Sequence, residues 1–185
     1  MIKNIISAVA FLALTTTTAL AGSVTGEVKI ADPKNGHADY NEYGMQYNDS
    51  YDGILKYGAE LTVKQGEHQG ALGSKFSGKI GPALPEFYGF KPAVYGELGR
   101  SLAEHNDYNF FGIGGTLSHK VYGPVNANIG YRYRKGFDTD DLRENRYNAG
   151  LSVDVTKTFS IGTNYYWYSG KTNSDAIGVA LKKTF

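Results

Sequence analysis

Lys29, Lys56, Lys64, Lys75, Lys79, Arg132, Arg134, Arg146 and Lys182 recur on the polar parity of stretches whose other parity is apolar. Glu27, Glu60, Glu97 and Asp154 share that row, and so does Tyr95. Such a row has two uses. Its cations and carboxylates can pair into salt bridges that fill a narrow polar interior, because a buried charge left alone costs several kcal/mol. Alternatively its positive excess can line a water path that favours anions. By strand order Glu97 and Asp154 are the nearest partners for Arg132, Arg134 and Arg146.

Other candidate chemistry is sparse. His37, His68 and His105 stand near Asp39, Glu67, Glu104 and Asp107, a mixture able to bind zinc or copper. Solvated loop residues are the commoner outcome, so no metal site or cofactor is expected. Ser118 and His119 are neighbours, but strand neighbours leave opposite faces and cannot readily share a proton. Gly112-Ile113-Gly114-Gly115 lies inside a strand pattern with no helix after it. Its glycines make room for large neighbours rather than cradle a phosphate.

The elements that carry these residues are strands. Val125, Ala127, Ile129, Tyr131 and Tyr133 alternate with Asn126, Asn128, Gly130, Arg132 and Arg134. Tyr147, Ala149, Leu151, Val153 and Val155 alternate with Asn148, Gly150, Ser152 and Asp154. A period of two means extended backbone with an apolar and a polar face. Similar rows run through Val24–Ile30, Tyr43–Tyr47, Leu55–Val63, Leu72–Ile80, Val94–Leu98, Phe111–Val121, Phe159–Trp167 and Ile177–Phe185. Asn48-Asp49-Ser50, Tyr122-Gly123-Pro124 and Val155–Thr158 read as turns, and Lys135–Asn145 as a long charged loop. Gly81–Pro92 holds three of the five prolines and fits neither a strand nor a short turn. Ten strands are favoured; eight, with one early hairpin outside the wall, is the alternative.

The termini speak to compartment. Lys3, the apolar run Ile5–Leu14 and Ala19-Leu20-Ala21 read as a cleaved secretory signal over residues 1–21, leaving a single domain over 22–185. The apolar run is too short for a bilayer core, which needs about 20 residues. The chain has no cysteine, so a disulfide framework and thiolate chemistry are excluded. Mean hydropathy of −0.36 excludes a helical membrane protein but allows a spanning barrel, since only alternate residues meet lipid. Formal charge is +1, and removing Lys3 with the signal makes it zero, so no nucleic-acid partner is suggested.

At its end the chain resembles the bacterial outer-membrane β-barrels, whose last strand carries apolar residues at alternate positions and stops on phenylalanine. The matching positions are Ile177, Val179, Leu181 and Phe185, with a departure at Lys183. Over the mature length the pattern is similar to the small-porin and OmpA/OmpX-type group. The resemblance implies a closed antiparallel up-and-down transmembrane barrel in the outer membrane, in contact with lipid and lipopolysaccharide. It also implies that the terminal strand is an assembly signal read by the barrel-assembly machinery. The function expected is a structural or small-porin role with a narrow charged lumen and outer loops exposed for recognition. An adhesin or receptor with a closed lumen is the alternative. An enzyme is not expected: barrel lipid A deacylases use a His-Ser pair, and omptin proteases use rim carboxylates with a histidine. Asp138, Asp140 and Asp141 sit at rim height, where a charged loop is usually just solvated.

Overall fold

A computed structural model describes residues 22–34, 39–66, 71–102, 107–137, 143–170 and 173–185. The strands are β1 (Ser23–Pro33), β2 (Tyr40–Tyr51), β3 (Leu55–Gly66), β4 (Ala71–Pro82), β5 (Phe90–Leu102), β6 (Tyr108–Tyr122), β7 (Val125–Gly136), β8 (Arg143–Asp154), β9 (Phe159–Gly170) and β10 (Ser174–Thr184). Each pairs antiparallel with its sequence neighbours, and β10 pairs with β1, so the sheet closes into a barrel of ten. Closure leaves no unpaired sheet edge, which is the condition for a sheet to cross hydrocarbon. Among the described residues no helix is long and apolar enough to cross a membrane.

The alternation read from the sequence sets which side chains face out. Ile30, Leu61, Phe76, Ile80, Leu98, Ile113, Ile129, Leu151, Ile177 and Val179 are all exposed on the outer wall. A continuous apolar surface of this kind is foreign to a soluble monomer and marks a lipid-facing belt. Tyr131 packs on Tyr147 and Tyr165 on Trp167, with ring centroids 5.0 and 4.6 Å apart. The tyrosines do not all serve such outer girdles, because Tyr95, Tyr166 and Tyr168 point inward.

Gly22 and Phe185 lie at one end, here termed the turn end; the opposite is the loop end. Two turns there are each made by a pair of adjacent residues with positive φ. Asp52 (φ 50°) and Gly53 (φ 65°) join β2 to β3, closed by Ile54 N–H donating to Tyr51 O at 3.0 Å. Paired positive φ values match the twist of the flanking strands, hence the Asp-Gly dipeptide. The awkward segment after Gly81 is resolved the same way. Phe87 and Phe90 exchange backbone hydrogen bonds of 3.0 and 2.8 Å around Tyr88 (φ 49°) and Gly89 (φ 78°). The connection is therefore a miniature hairpin, and no strand is lost from the wall.

Two boundaries differ from the sequence reading. β2 runs through Asn48-Asp49-Ser50 to Tyr51, so the turn lies further on. The expected loop Lys135–Asn145 is strand at both of its ends: β7 continues to Gly136 and β8 begins at Arg143. Polar residues on both faces erased the alternation there, as they do once a strand rises above the lipid. Residues 1–21, which hold the expected signal, lie outside the described residues.

Candidate functional site: a charged lumen

The inward row meets in the middle of the barrel. Glu60 on β3 receives Arg132 Nη1 at 3.1 Å and Arg134 Nη2 at 3.4 Å, both from β7. β3 and β7 are four strands apart in the ring of ten, so these bonds cross the lumen rather than run along its wall. Lys79 on β4 binds the other Glu60 oxygen. Glu97 on β5 takes Arg134 in a forked contact, Nη2 to Oε1 at 2.5 Å and Nε to Oε2 at 2.9 Å. Ser77 Oγ donates to Glu97 Oε1 at 2.6 Å. The Glu97 side chain is 0 % exposed and that of Arg134 7 %. Bidentate geometry of this kind is the strongest form of charge-assisted hydrogen bond.

A second crossing lies toward the loop end. Glu144 on β8 meets Arg132 Nη2 at 3.5 Å and Lys75 Nζ, from β4, at 3.6 Å. Glu42 on β2 holds Lys29 at 2.6 Å and Lys64 at 3.9 Å. Glu27 stands 3.5 Å from Lys29 and also accepts from Tyr166 Oη. Phe110, almost wholly buried, closes the loop-end side, with the Arg134 guanidinium 4.8 Å from its ring centroid.

Glycines make this filling possible. Gly112 and Gly114 lie opposite Arg134 and Arg132 in the β6–β7 register. A Cβ at Gly114 would stand 2.5 Å from the Tyr95 ring, and one at Gly112 would stand 3.1 Å from Glu97 Oε2. Gly112 and Gly114 therefore give their space to large inward side chains, among them Tyr95, whose ring lies 5.2 Å from Lys79 Nζ.

Other inward residues sit elsewhere along the axis. Lys56, Lys182 and Asp154 are exposed at the turn end. Asp154 does not bridge the arginines, contrary to expectation; it accepts from Ser160 Oγ at 2.7 Å and Asn126 Nδ2 at 3.0 Å. The reason is height. Asp154 and Arg146 share β8, and eight residues of strand span about 26 Å, a separation that strand order does not reveal. Glu42 and Glu144 were absent from the expected row. Glu42 shares the parity of Gly44 and Gln46 and was legible there; Glu144 was hidden by the loop assigned to its segment.

Ser118 and His119 leave opposite faces, as alternation requires. His119 is on the outer wall, stacked on Phe90 at 4.4 Å. Lys183 is on the outer wall too, with Nζ 4.9 Å from the Phe185 ring centroid. Beyond the wall, Lys34 Nζ pairs with Asp175 at 2.7 Å, and that hydrogen bond holds the lysine above its ordinary pKa. Among the described residues no group of histidine and carboxylates could hold a metal. His37, His68, His105, Glu67, Glu104, Asp138, Asp140 and Asp141 lie outside the described residues.

No protein-family model matches the sequence, and no curated protein is similar to it. Solved structures are similar in fold. LpxR from Salmonella typhimurium aligns over 91% of this chain and 86% of its own, with a TM-score of 0.55 at 10% identity. The beta domain of the Bordetella autotransporter BrkA aligns over 89% of this chain and 99% of its own, with a TM-score of 0.52 at 12% identity. The NanC porin aligns over 86% and 100%, with a TM-score of 0.49 at 10% identity.

Proposed function

The fold is that of the bacterial outer-membrane β-barrels, and on that premise we propose a structural outer-membrane protein with a closed lumen. The observation that carries this reading is the reach of Glu60 from β3 to Arg132 and Arg134 on β7. Ion pairs along a wall leave a path; pairs across it bar the path. The Glu97–Arg134 fork and Phe110 thicken the bar. The protein's contribution is a rigid wall in contact with lipid and lipopolysaccharide, with its loop end presented for recognition. The alternating terminal strand ending at Phe185 is what the assembly machinery would read. A catalytic role is not proposed, since Ser118 and His119 lie on opposite faces of β6.

One observation favours a small-porin reading as the second choice. Lys56 and Lys182 are exposed at the turn end and the lumen carries more cations than carboxylates, which would give any residual path an anion preference. Planar-bilayer recording separates the two. The refolded protein should show no steady conductance, and Glu60→Ala with Arg132→Ala should open a channel. Steady anion-selective conductance of the unaltered protein would replace the closed reading with the porin one.

A further inference from the structure

Asp49 shares the outward parity of Tyr43, Met45 and Tyr47 on β2, so it stands at the turn-end rim of the outer wall. Three donors hold its carboxylate. Tyr47 Oη and Tyr57 Oη donate to Oδ2 at 2.7 and 3.0 Å, and the Ser50 N–H donates to Oδ1 at 2.7 Å. All three are neutral. Among the described residues no lysine, arginine or histidine pairs with Asp49. Lys183, on the same outer face, lies two strands away with Nζ at the Phe185 ring. An ionised carboxylate offers about four acceptor sites, so one is left for a further donor, and a charged one bonds it best.

The main chain brings such a donor close. Ser23 pairs with Asn48 in the β1–β2 register, and the next step sets Gly22 beside Asp49. A Cβ on Gly22 would stand 3.0 and 3.1 Å from Asp49 Cβ and Cγ and would collide with the Asn48 carbonyl oxygen, so only glycine fits. On its other side Gly22 O accepts from Phe185 N–H at 2.9 Å. Gly22 also directly follows Ala19-Leu20-Ala21, the small-x-small pattern of a secretory cleavage site. Within a longer chain its nitrogen is a neutral amide; as a first residue it carries an ammonium. That nitrogen is bonded to the glycine Cα at about 1.5 Å. In a first residue, rotation about Cα–C swings it toward the side a Cβ would take, between Asn48 O and the Asp49 carboxylate.

We propose that the chain is cut between Ala21 and Gly22 and that the α-ammonium so released is held by Asp49. The cut is a hydrolysis by a peptidase acting on exported chains. Water adds to the amide, the C–N bond breaks, Ala21 keeps a carboxylate and the Gly22 nitrogen leaves as an ammonium. The ion pair fixes the first residue of β1 to β2 at the seam where β10 closes the barrel. An uncut precursor has no charge at this nitrogen, so processing adds a tie that the precursor lacks. The proposal rests on the signal reading of residues 1–21 and not on the lumen, so a conducting barrel leaves it standing.

The test starts from the full chain of residues 1–185, expressed and recovered from the outer-membrane fraction. Intact mass and N-terminal sequencing should give a product beginning Gly22-Ser23-Val24. The α-amine is then acetylated in urea near neutral pH, where lysines stay protonated, and the chain is refolded into lipid vesicles. Removing the charge should lower the urea midpoint of the parent and leave that of Asp49→Asn unchanged. Asparagine keeps an acceptor for the two tyrosines, so the variant preserves the rest of the site. Zero-length carbodiimide coupling of the parent needs no variant: Gly22 N and Asp49 should be joined as an amide with loss of one water, read by peptide mass. A mature chain beginning at another residue would overturn the cut. An acetylation effect absent from the parent, or equal in Asp49→Asn, would overturn the ion pair, and so would coupling that leaves Gly22 and Asp49 unjoined.

Discussion

Glu60 on β3 and Arg132 on β7 meet across the lumen at 3.1 Å, although 72 residues separate them in the chain. The contact needs ten strands, the observed register and the right stagger at once, because a one-residue slip would turn either side chain into the lipid. It ties folding specificity to lumen closure, since the same bond that reports a correct register also bars the channel.

Loss of one partner should be costly at the fork. Glu97→Ala leaves Arg134 buried without its bidentate partner, and removing one side of a buried pair typically costs about 3–5 kcal/mol. Urea unfolding in lipid vesicles should show a drop of that order. The double variant Glu97→Ala, Arg134→Met should recover part of it. A Glu97→Ala barrel as stable as the parent would mean that the fork is not formed in the bilayer.

Packing inside the barrel predicts a coupled pair. Gly114→Ala places a methyl group 2.5 Å from the Tyr95 ring, and overpacking of this kind costs about 1–3 kcal/mol. In a Tyr95→Ala background the ring is gone and the same substitution should be close to neutral. A double-mutant cycle measured by urea unfolding checks the coupling; strict additivity would refute the contact.

On the outer wall the cost of a charge should depend on depth. Ile113 precedes Gly114, at the level of the cross-lumen pairs, whereas Val121 lies at the turn end. Arginine on a lipid face costs about 2–4 kcal/mol at the bilayer midplane and about 0–1 near an interface. Ile113→Arg should therefore destabilise the vesicle-bound barrel much more than Val121→Arg. Equal effects would show that the apolar belt is not a bilayer-spanning surface.

The terminal strand invites an assembly test. Phe185 N–H donates to Gly22 O at 2.9 Å, so the last residue helps to close the barrel seam as well as presenting its ring outward. Deleting Phe185 should lower insertion into the outer membrane and raise periplasmic degradation, read by fractionation and immunoblotting. Lys183 lies over the Phe185 ring, so Lys183→Phe should be neutral or helpful. Full insertion without Phe185 would make the terminal resemblance accidental.

The amino-acid sequence by itself determined the wall. Alternation at Val125–Arg134 and Tyr147–Asp154 assigned faces correctly, because side-chain direction in a strand is a local property with a period of two. It also supported closure into a barrel, since so many amphipathic strands need lipid on one side and polar filling on the other. Where polarity appeared on both faces, at Lys135, Arg143 and Asn145, the local signal vanished and the strand ends were misplaced. The Tyr88-Gly89 hairpin was hidden because the flanking Pro82, Pro85 and Pro92 masked a turn carried by two residues. Only the tertiary structure decided which charges meet. Axial height depends on how each strand is staggered against the next, and that stagger accumulates around the ring. Hence Asp154, near in strand order, lies far from the arginines, and Glu60, remote in sequence, holds two of them. Pairing inside a closed barrel follows from shared height and a lumen about as wide as two side chains, and neither quantity is written in any single strand.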